Sequence, residues 1–380
     1  MLKKSFLLLV VLMLGFSVNA SAEEQEVQNT QQEQKKTLVE LPQWVKNIKF
    51  SGYGMLQYQW QDPEGNKSNT FNLRLARFIL DGKIGDFDWR AQIQGTNVKG
   101  PGEPTVQLVD LYAEWRKYPE FKIRAGQFKR AFTFENPTHP ITQGWYSYAM
   151  VINNLSGFGD RTGEKSSGGR DIGLQFSGDL FPNANGRRTF HYQIGVYNGE
   201  GINQKDKDNK KDIIGGFWVM PIQGLRVGAF GWMGSRGDMV IGQDANGANI
   251  TGSVSKNRYA LSAEYSQGEY MFRTEYLHSQ GFGSGKAGSN VVDYSLGEKA
   301  DGWYLFGIVP VIKSKLHAKA RYQCYRDNKK WDRAKTSYEI GVNYFFTKNL
   351  EMHVEYARIN DRKLEKHDYN LFDLELDFKF

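Results

Sequence analysis

The sequence contains almost no cysteine and, beyond its N-terminus, no long apolar run. Cys324 is the only cysteine among 380 residues, so a disulfide within the chain is excluded. Mean hydropathy is −0.58. After residue 16 no stretch approaches the ~20 apolar residues that a membrane-spanning helix needs. A bundle of transmembrane helices is therefore excluded.

The sequence also lacks the motifs of common enzymes and nucleic-acid-binding proteins. The formal net charge is +7, without a clustered basic helix that would contact nucleic acid. Neither H-E-x-x-H nor G-x-S-x-G occurs, and the six histidines are scattered. Gly283, Gly285 and Gly288 match G-x-G-x-x-G, but no predicted helix follows them to hold a pyrophosphate. We therefore expect no catalytic site, no cofactor, no metal ion and no nucleic-acid partner.

The N-terminal residues predict export from the cytoplasm. Two lysines precede an apolar run over residues 6–16, and small residues follow it, so we assign residues 1–22 to a cleaved signal peptide. The run is too short for an uncleaved membrane anchor. Residues 23–47 are rich in Gln and Glu and predict a disordered periplasmic leader, with a short partner-binding helix as the alternative. We assign residues 48–380 to a single folded domain.

Apolar and polar residues alternate through most of this domain. The last residues, "FDLELDFKF" (372–380), alternate without a fault up to Phe380. Such a period of two predicts strands with one apolar face and one polar face. In "FNLRLARFIL" the apolar phase slips near Ala76, which predicts a β-bulge that aims both Arg74 and Arg77 to the polar side.

The connections between these strands alternate strictly in length. Eight long polar loops and seven short turns make fifteen connections, hence about sixteen strands. Short turns on one side and long loops on the other are typical of an all-β, antiparallel transmembrane β-barrel of the outer membrane, with both termini in the periplasm. A soluble β-sandwich is the alternative, but it has no reason to sort its loops by length. A barrel of this size leaves a water-filled lumen.

Charged residues on the polar phase predict a lumen with a basic side and an acidic side. In "VIKSKLHAKARYQCY" the basic phase must face the lumen, because a midplane Lys or Arg in lipid costs roughly 2–4 kcal/mol. This predicts an anion ladder of Lys313, Lys315, His317, Lys319 and Arg321. The predicted acidic face comprises Glu351, Glu355, Asp373, Glu375 and Asp377. The alternative is a transverse field that orients dipolar solutes without strongly excluding either ion.

The third long loop, residues 129–169, is far longer than an ordinary hairpin connection. It carries many aromatic rings, whose exposure to water would be costly. We therefore expect this loop to fold into the barrel and to narrow it, with Lys129, Arg130, Glu135 and His139 as constriction residues. An external loop that packs on neighbouring subunits is the alternative.

Four motifs resemble the family of phosphate-selective porins O and P. They are "GQFKRAF" (126–132), "GGRDIGLQFSGDLF" (168–181), "YNGEG" (197–201) and "YEIGVNYFFTKNLEMHVEYA" (338–357). The resemblance implies a trimeric porin of the same strand number, with an inward-folded third loop and anion selectivity. It adds Arg124, which enters the third loop, to the constriction residues. It also implies that the barrel-assembly machinery recognises the terminal Phe380.

The sequence thus predicts an outer-membrane porin of a Gram-negative bacterium and not an enzyme. Small hydrophilic solutes would diffuse passively through it, with a mild preference for anions such as phosphate. The alternatives are a substrate-specific channel for phosphate, pyrophosphate or acidic sugars and, less favoured, a barrel-embedded hydrolase. The expected partners are outer-membrane lipid, the assembly machinery, small anions or polar solutes, and further copies of the chain in a homotrimer.

Overall fold

The described part of the chain begins just before the first strand. A computed structural model describes residues 47–95, 106–130, 132–164, 168–286 and 288–380. The predicted signal peptide and almost the whole predicted leader lie outside these residues. No helix within the described residues is long and apolar enough to cross a membrane.

The described residues contain eighteen β-strands, and sixteen of them close into one barrel. The strands are β1 Lys49–Gln61, β2 Ser68–Ile84, β3 Phe87–Gly95, β4 Val106–Tyr118, β5 Phe121–Lys129, β6 Arg170–Pro182, β7 Arg188–Tyr197, β8 Asp212–Val219, β9 Leu225–Met233, β10 Ser235–Gln243, β11 Asn249–Ser255, β12 Asn257–Gln267, β13 Tyr270–Gln280, β14 Lys299–Ile312, β15 Leu316–Arg326, β16 Lys335–Thr347, β17 Leu350–Asp361 and β18 Asp368–Lys379. In the barrel β9 pairs directly with β12, β1 pairs with β18, and both pairs are antiparallel. The prediction of an all-β antiparallel barrel is confirmed.

Short turns and long loops alternate around the barrel as predicted. Only residues 85–86 separate β2 from β3, whereas residues 130–169 separate β5 from β6. The long loop between β9 and β12 folds into the hairpin β10–β11, which was not predicted. Two register shifts interrupt this hairpin, so its side chains show no regular period of two in the sequence.

The first and last strands close the barrel over nine residue pairs. Beyond these pairs, the backbone N–H of Phe380 donates to the Gly52 carbonyl at 3.0 Å, and the Gly52 N–H donates to the Phe380 carbonyl at 2.9 Å. The Phe380 ring centroid lies 5.9 Å from the centroids of both Phe50 and Phe78. The terminal phenylalanine therefore completes an aromatic cluster on the outer wall at the seam.

The β-bulge predicted in β2 is present, two residues before Ala76. Arg74 stands opposite no residue of β1, because the residues on either side of it pair with consecutive residues of that strand. As a result Arg74 points into the barrel and reaches Glu375 at 2.7 Å. Arg77 also points inward and donates to the Tyr53 hydroxyl at 2.7 Å.

The close approach of three segments at the seam predicts that Gly52→Ala destabilises the barrel. A Cβ at this position would lie 2.5 Å from the Arg77 carbonyl oxygen and 2.4 Å from the Phe380 ring. Overpacking of this kind costs about 1–3 kcal/mol, which urea unfolding of the barrel in lipid vesicles would measure. Gly231→Ala on β9 is the matched control, since a Cβ there meets nothing within 4 Å. Equal stability of the two variants would contradict this packing of the seam.

Candidate functional site: the lumen and its inward loop

The third long loop, described over residues 130, 132–164 and 168–169, folds into the barrel. It contains two short helices, α1 Pro140–Gln143 and α2 Met150–Leu155, and α2 packs against β13, β14 and β15. Backbone N–H groups of the loop donate to side chains of the barrel wall. Those of Phe134 and Glu135 donate to Glu275 at 2.8 and 2.9 Å, and that of Tyr146 donates to Glu355 at 2.8 Å. The predicted inward-folded third loop is confirmed.

Trp145 anchors the loop to the inner wall formed by β14 and β15. Its side chain is 1% exposed and its ring centroid lies 5.9 Å from that of Phe306. The ammonium of Lys319 and the guanidinium of Arg321 lie 5.0 and 4.5 Å from the Trp145 ring. These cation–π contacts, each worth up to ~2 kcal/mol when desolvated, place two predicted ladder residues beneath the loop.

The predicted anion ladder is not continuous. Lys313 and Lys315 are exposed and lie in the turn between β14 and β15, where Ser314 has a positive φ of 57°, and not within a strand. His317 lies at the start of β15 and its Nε2 is 2.9 Å from a carboxylate oxygen of Glu269.

The remaining two ladder residues are neutralised by the wall itself. Lys319 lies 2.5 Å from Glu355, and Arg321 lies 2.6 Å from Glu339. Both side chains are buried. The structure therefore does not bring the five residues together along a solvent-exposed path.

Two of the predicted constriction residues hold the loop together from within. Arg130 is fully buried, with its guanidinium bonded to Glu164 and 3.2 Å from Asp171. Glu135 is also fully buried, and it accepts a hydrogen bond of 2.7 Å from Gln143 Nε2. Their buried partners give both residues a structural position and not one on the open lumen.

The other three, Arg124, Lys129 and His139, line an open cavity. The Lys129 ammonium donates to the Thr138 carbonyl at 2.6 Å. The Arg90 guanidinium lies 3.3 Å from Nε2 of His139. Burial, together with the nearby charge of Lys129, lowers the pKa of His139 to about 2, so its ring is neutral and can accept this hydrogen bond.

The five carboxylates of the predicted acidic face are buried inside the barrel: Glu351, Glu355, Asp373, Glu375 and Asp377. Glu355 bonds Lys319, and Glu375 bonds Arg74. Asp373 accepts a hydrogen bond of 2.8 Å from Gln57. This face is therefore a wall to which the loop is attached, and most of its charge is used in those contacts.

The open lumen lies on the opposite side, between the loop and the wall formed by β3 to β9. It encloses a cavity of about 330 Å³. Among the described residues that line it, seven are basic: Arg90, Arg116, Lys122, Arg124, Lys129, Arg170 and Arg226. Two are acidic, Asp110 and Glu114. Six of the seven basic groups form ion pairs, for example Lys122 with Asp179 at 2.6 Å, and four of their six carboxylate partners are not part of the lining.

Most of this basic lining was not predicted from the sequence. Lys122 and Arg124 are two residues apart on β5, in the inward phase of "FKIRAGQFK". The alternation therefore marks them as facing the lumen. The alternation does not show on which side of the barrel the third loop packs. The position of the loop determines which inward-facing cations it covers and which line the open lumen.

Comparison with known proteins gives a family match over part of the chain. Residues 50–211 match the family model of phosphate-selective porins O and P. The predicted family resemblance is confirmed over that span. It includes three of the four motifs, while residues 338–357 lie beyond it. No curated protein sequence matches the chain.

Solved outer-membrane porins share the fold. An anion-selective porin from Comamonas acidovorans superposes with a TM-score of 0.63 at 10% identity, covering 88% of this chain and 99% of the porin. OmpF of Salmonella typhi, solved with daunomycin, gives 0.61 at 13% identity over 88% and 98%. The trimer form of OmpT from Vibrio cholerae gives 0.56 at 14% identity over 88% and 100%. At these identities the likeness establishes the porin barrel fold.

The burial of Trp145 predicts that Trp145→Ala loosens the third loop. Removal of a buried tryptophan costs about 3–5 kcal/mol, here from the attachment of the loop to β14 and β15. Hydrogen exchange of residues 132–160 would measure the loss of protection. Trp331→Ala is the matched control, because Trp331 is 51% exposed in another loop. Equal protection in both variants would contradict the anchoring role.

Proposed function

We propose that this protein is an outer-membrane porin whose water-filled channel conducts small hydrophilic solutes passively and favours anions. The basic lining of the open lumen carries the proposal, because seven basic side chains line the cavity while four of the six carboxylates that pair with them do not. A narrow passage with one sign of charge concentrates ions of the opposite sign. The family match and the barrel fold agree with a channel, and the proposal includes no catalytic step.

The anion path in this proposal differs from the ladder predicted on β15. Anions would enter between the long loops and pass the loop edge at Lys129 and His139. They would then follow Arg90, Arg124 and Lys122 along β3 and β5. Because most of these cations have carboxylate partners, we expect a mild preference and not a strict one.

The same proposal covers the biological setting. We propose export by a cleaved signal peptide, residence in the outer membrane and assembly as a homotrimer. The trimer form of OmpT supports the last point, since OmpT has the same fold. A substrate-specific channel for phosphate, pyrophosphate or acidic sugars is the second candidate, favoured by the guanidinium groups in the lining, which suit bidentate contacts to phosphate oxygens.

The location of the half-buried basic side chains at the open cavity predicts which substitutions change selectivity. The double variant Arg90→Gln and Arg124→Gln removes two positive charges from the lining. Because we expect the two charges together to favour anions over cations by about 1 kcal/mol, the anion-to-cation permeability ratio should fall about fivefold. Zero-current potentials across planar bilayers in a KCl gradient would measure this ratio.

Lys313→Gln and Lys315→Gln form the matched control, because they remove the same charge from the turn between β14 and β15. We expect a change of less than about twofold, since salt screens exposed charges at the rim. A cation-selective native channel would overturn the proposal, as would equal effects of the two pairs. Block of chloride current by micromolar phosphate would favour the substrate-specific channel.

A further inference from the structure

Two carboxylates face each other across β17 and β18, close to the short turn that precedes β17. Glu351 and Asp377 are direct cross-strand partners, and both are buried. Like charges in such positions destabilise a sheet unless a cation lies between them. His353, two residues further along β17, directs its imidazole to the same place.

Nε2 of His353 faces the two carboxylates without a hydrogen-bond partner in the part of the chain that the structure describes. It lies 3.5 Å from Asp377 Oδ2 and 3.9 Å from Glu351 Oε2. Within the described residues it makes no hydrogen bond, and neither does Asp377 Oδ1. His353 is 3% exposed. Leaving such buried polar atoms unpartnered costs about 1–3 kcal/mol each, so the cluster is incomplete as a purely structural one.

The other ring nitrogen of His353 is linked to the third loop through Lys319. Nδ1 lies 3.4 Å from the Lys319 ammonium, which itself donates to the Gly144 carbonyl at 2.6 Å. Because an ammonium can only donate, Nδ1 accepts from Lys319 while the site is empty. Binding of a metal through Nε2 needs the proton on Nδ1 instead, with Lys319 held by Glu355 and the Gly144 carbonyl, both of which it already contacts.

We propose that Glu351, His353 and Asp377 form a binding site for a divalent transition-metal cation of the Zn²⁺ class. One ligand atom from each residue lies within 4.8 Å of the others. Small side-chain rotations would bring all three to the ~2.0–2.2 Å that Zn²⁺ requires. The imidazole discriminates against Ca²⁺ and Mg²⁺, which take oxygen ligands.

Lys379 is the competitor for this site. Its ammonium lies 2.8 Å from Glu351, and its side chain is 33% exposed, so it can withdraw toward solvent. The acidic wall as a whole has five carboxylates against three permanent cations, Arg74, Lys319 and Lys379. A bound divalent ion would offset that difference and make the lumen more positive.

Binding of Zn²⁺ alone to the untagged, detergent-solubilised protein tests the site directly. We expect one ion per chain by calorimetry, and a loss of affinity of tenfold or more in His353→Asn and in Asp377→Asn. Lys379→Gln should strengthen binding, because it removes the competing ammonium. His367→Asn is the matched control, since His367 is exposed in the loop between β17 and β18 and should leave binding unchanged.

Each result decides for or against the site. Absence of stoichiometric Zn²⁺ binding would overturn the proposal, and so would Ca²⁺ binding as tight as Zn²⁺ binding, because the imidazole would then not be a ligand. If His353→Asn fails to fold, stronger binding by Lys379→Gln still supports the site, and unchanged binding by that variant counts against it. A Zn²⁺-dependent shift of bilayer selectivity toward anions also rests on the proposed channel function, whereas the binding measurement does not.

Discussion

The closure of β1 against β18 is the constraint on which the rest of the structure depends. In hydrocarbon no water can satisfy a free strand edge, so every backbone N–H and carbonyl of the wall needs a partner strand. The seam pairs fix the register of both strands, and a shift of one residue would turn Asp373, Glu375 and Asp377 outward into lipid. Gly52 leaves room for Phe380 at that seam. Closure thus determines which side chains become the inner wall.

The inner wall created in this way carries charges that themselves need partners. The third loop meets part of that requirement with its own backbone, since Phe134, Glu135 and Tyr146 donate N–H groups to wall carboxylates. The wall carboxylates in turn accept hydrogen bonds from loop backbone N–H groups that would otherwise be buried without a partner inside the barrel. Loop and wall therefore stabilise each other, and the side of the lumen that holds the loop is no longer available for ions.

Sequence alternation predicts a great deal of this architecture because the period of two is imposed by the lipid. The alternation marks the strands and even the bulge that turns both Arg74 and Arg77 inward. The alternating loop lengths predict the strand number, and the length and aromatic rings of the third loop predict its inward fold. The candidate site was predicted less well. Lys319 was correctly placed on the inward phase of β15, yet contact with Trp145 and Glu355 removes it from the open lumen. Such contacts join residues far apart in sequence and leave no periodic signal.

The two walls consequently have different electrostatic roles. On the β3–β9 side basic side chains such as Arg90 and Lys122 line an open cavity, so they are placed to act on ions in the proposed channel. On the β14–β18 side the charges are buried, so any imbalance is a cost of folding and not a means of selection. Glu351 and Asp377, opposite each other with His353 beside them, concentrate that imbalance at one point. A cation is the simplest group that removes it, because the position of the two carboxylates is already fixed by the register that closes the barrel.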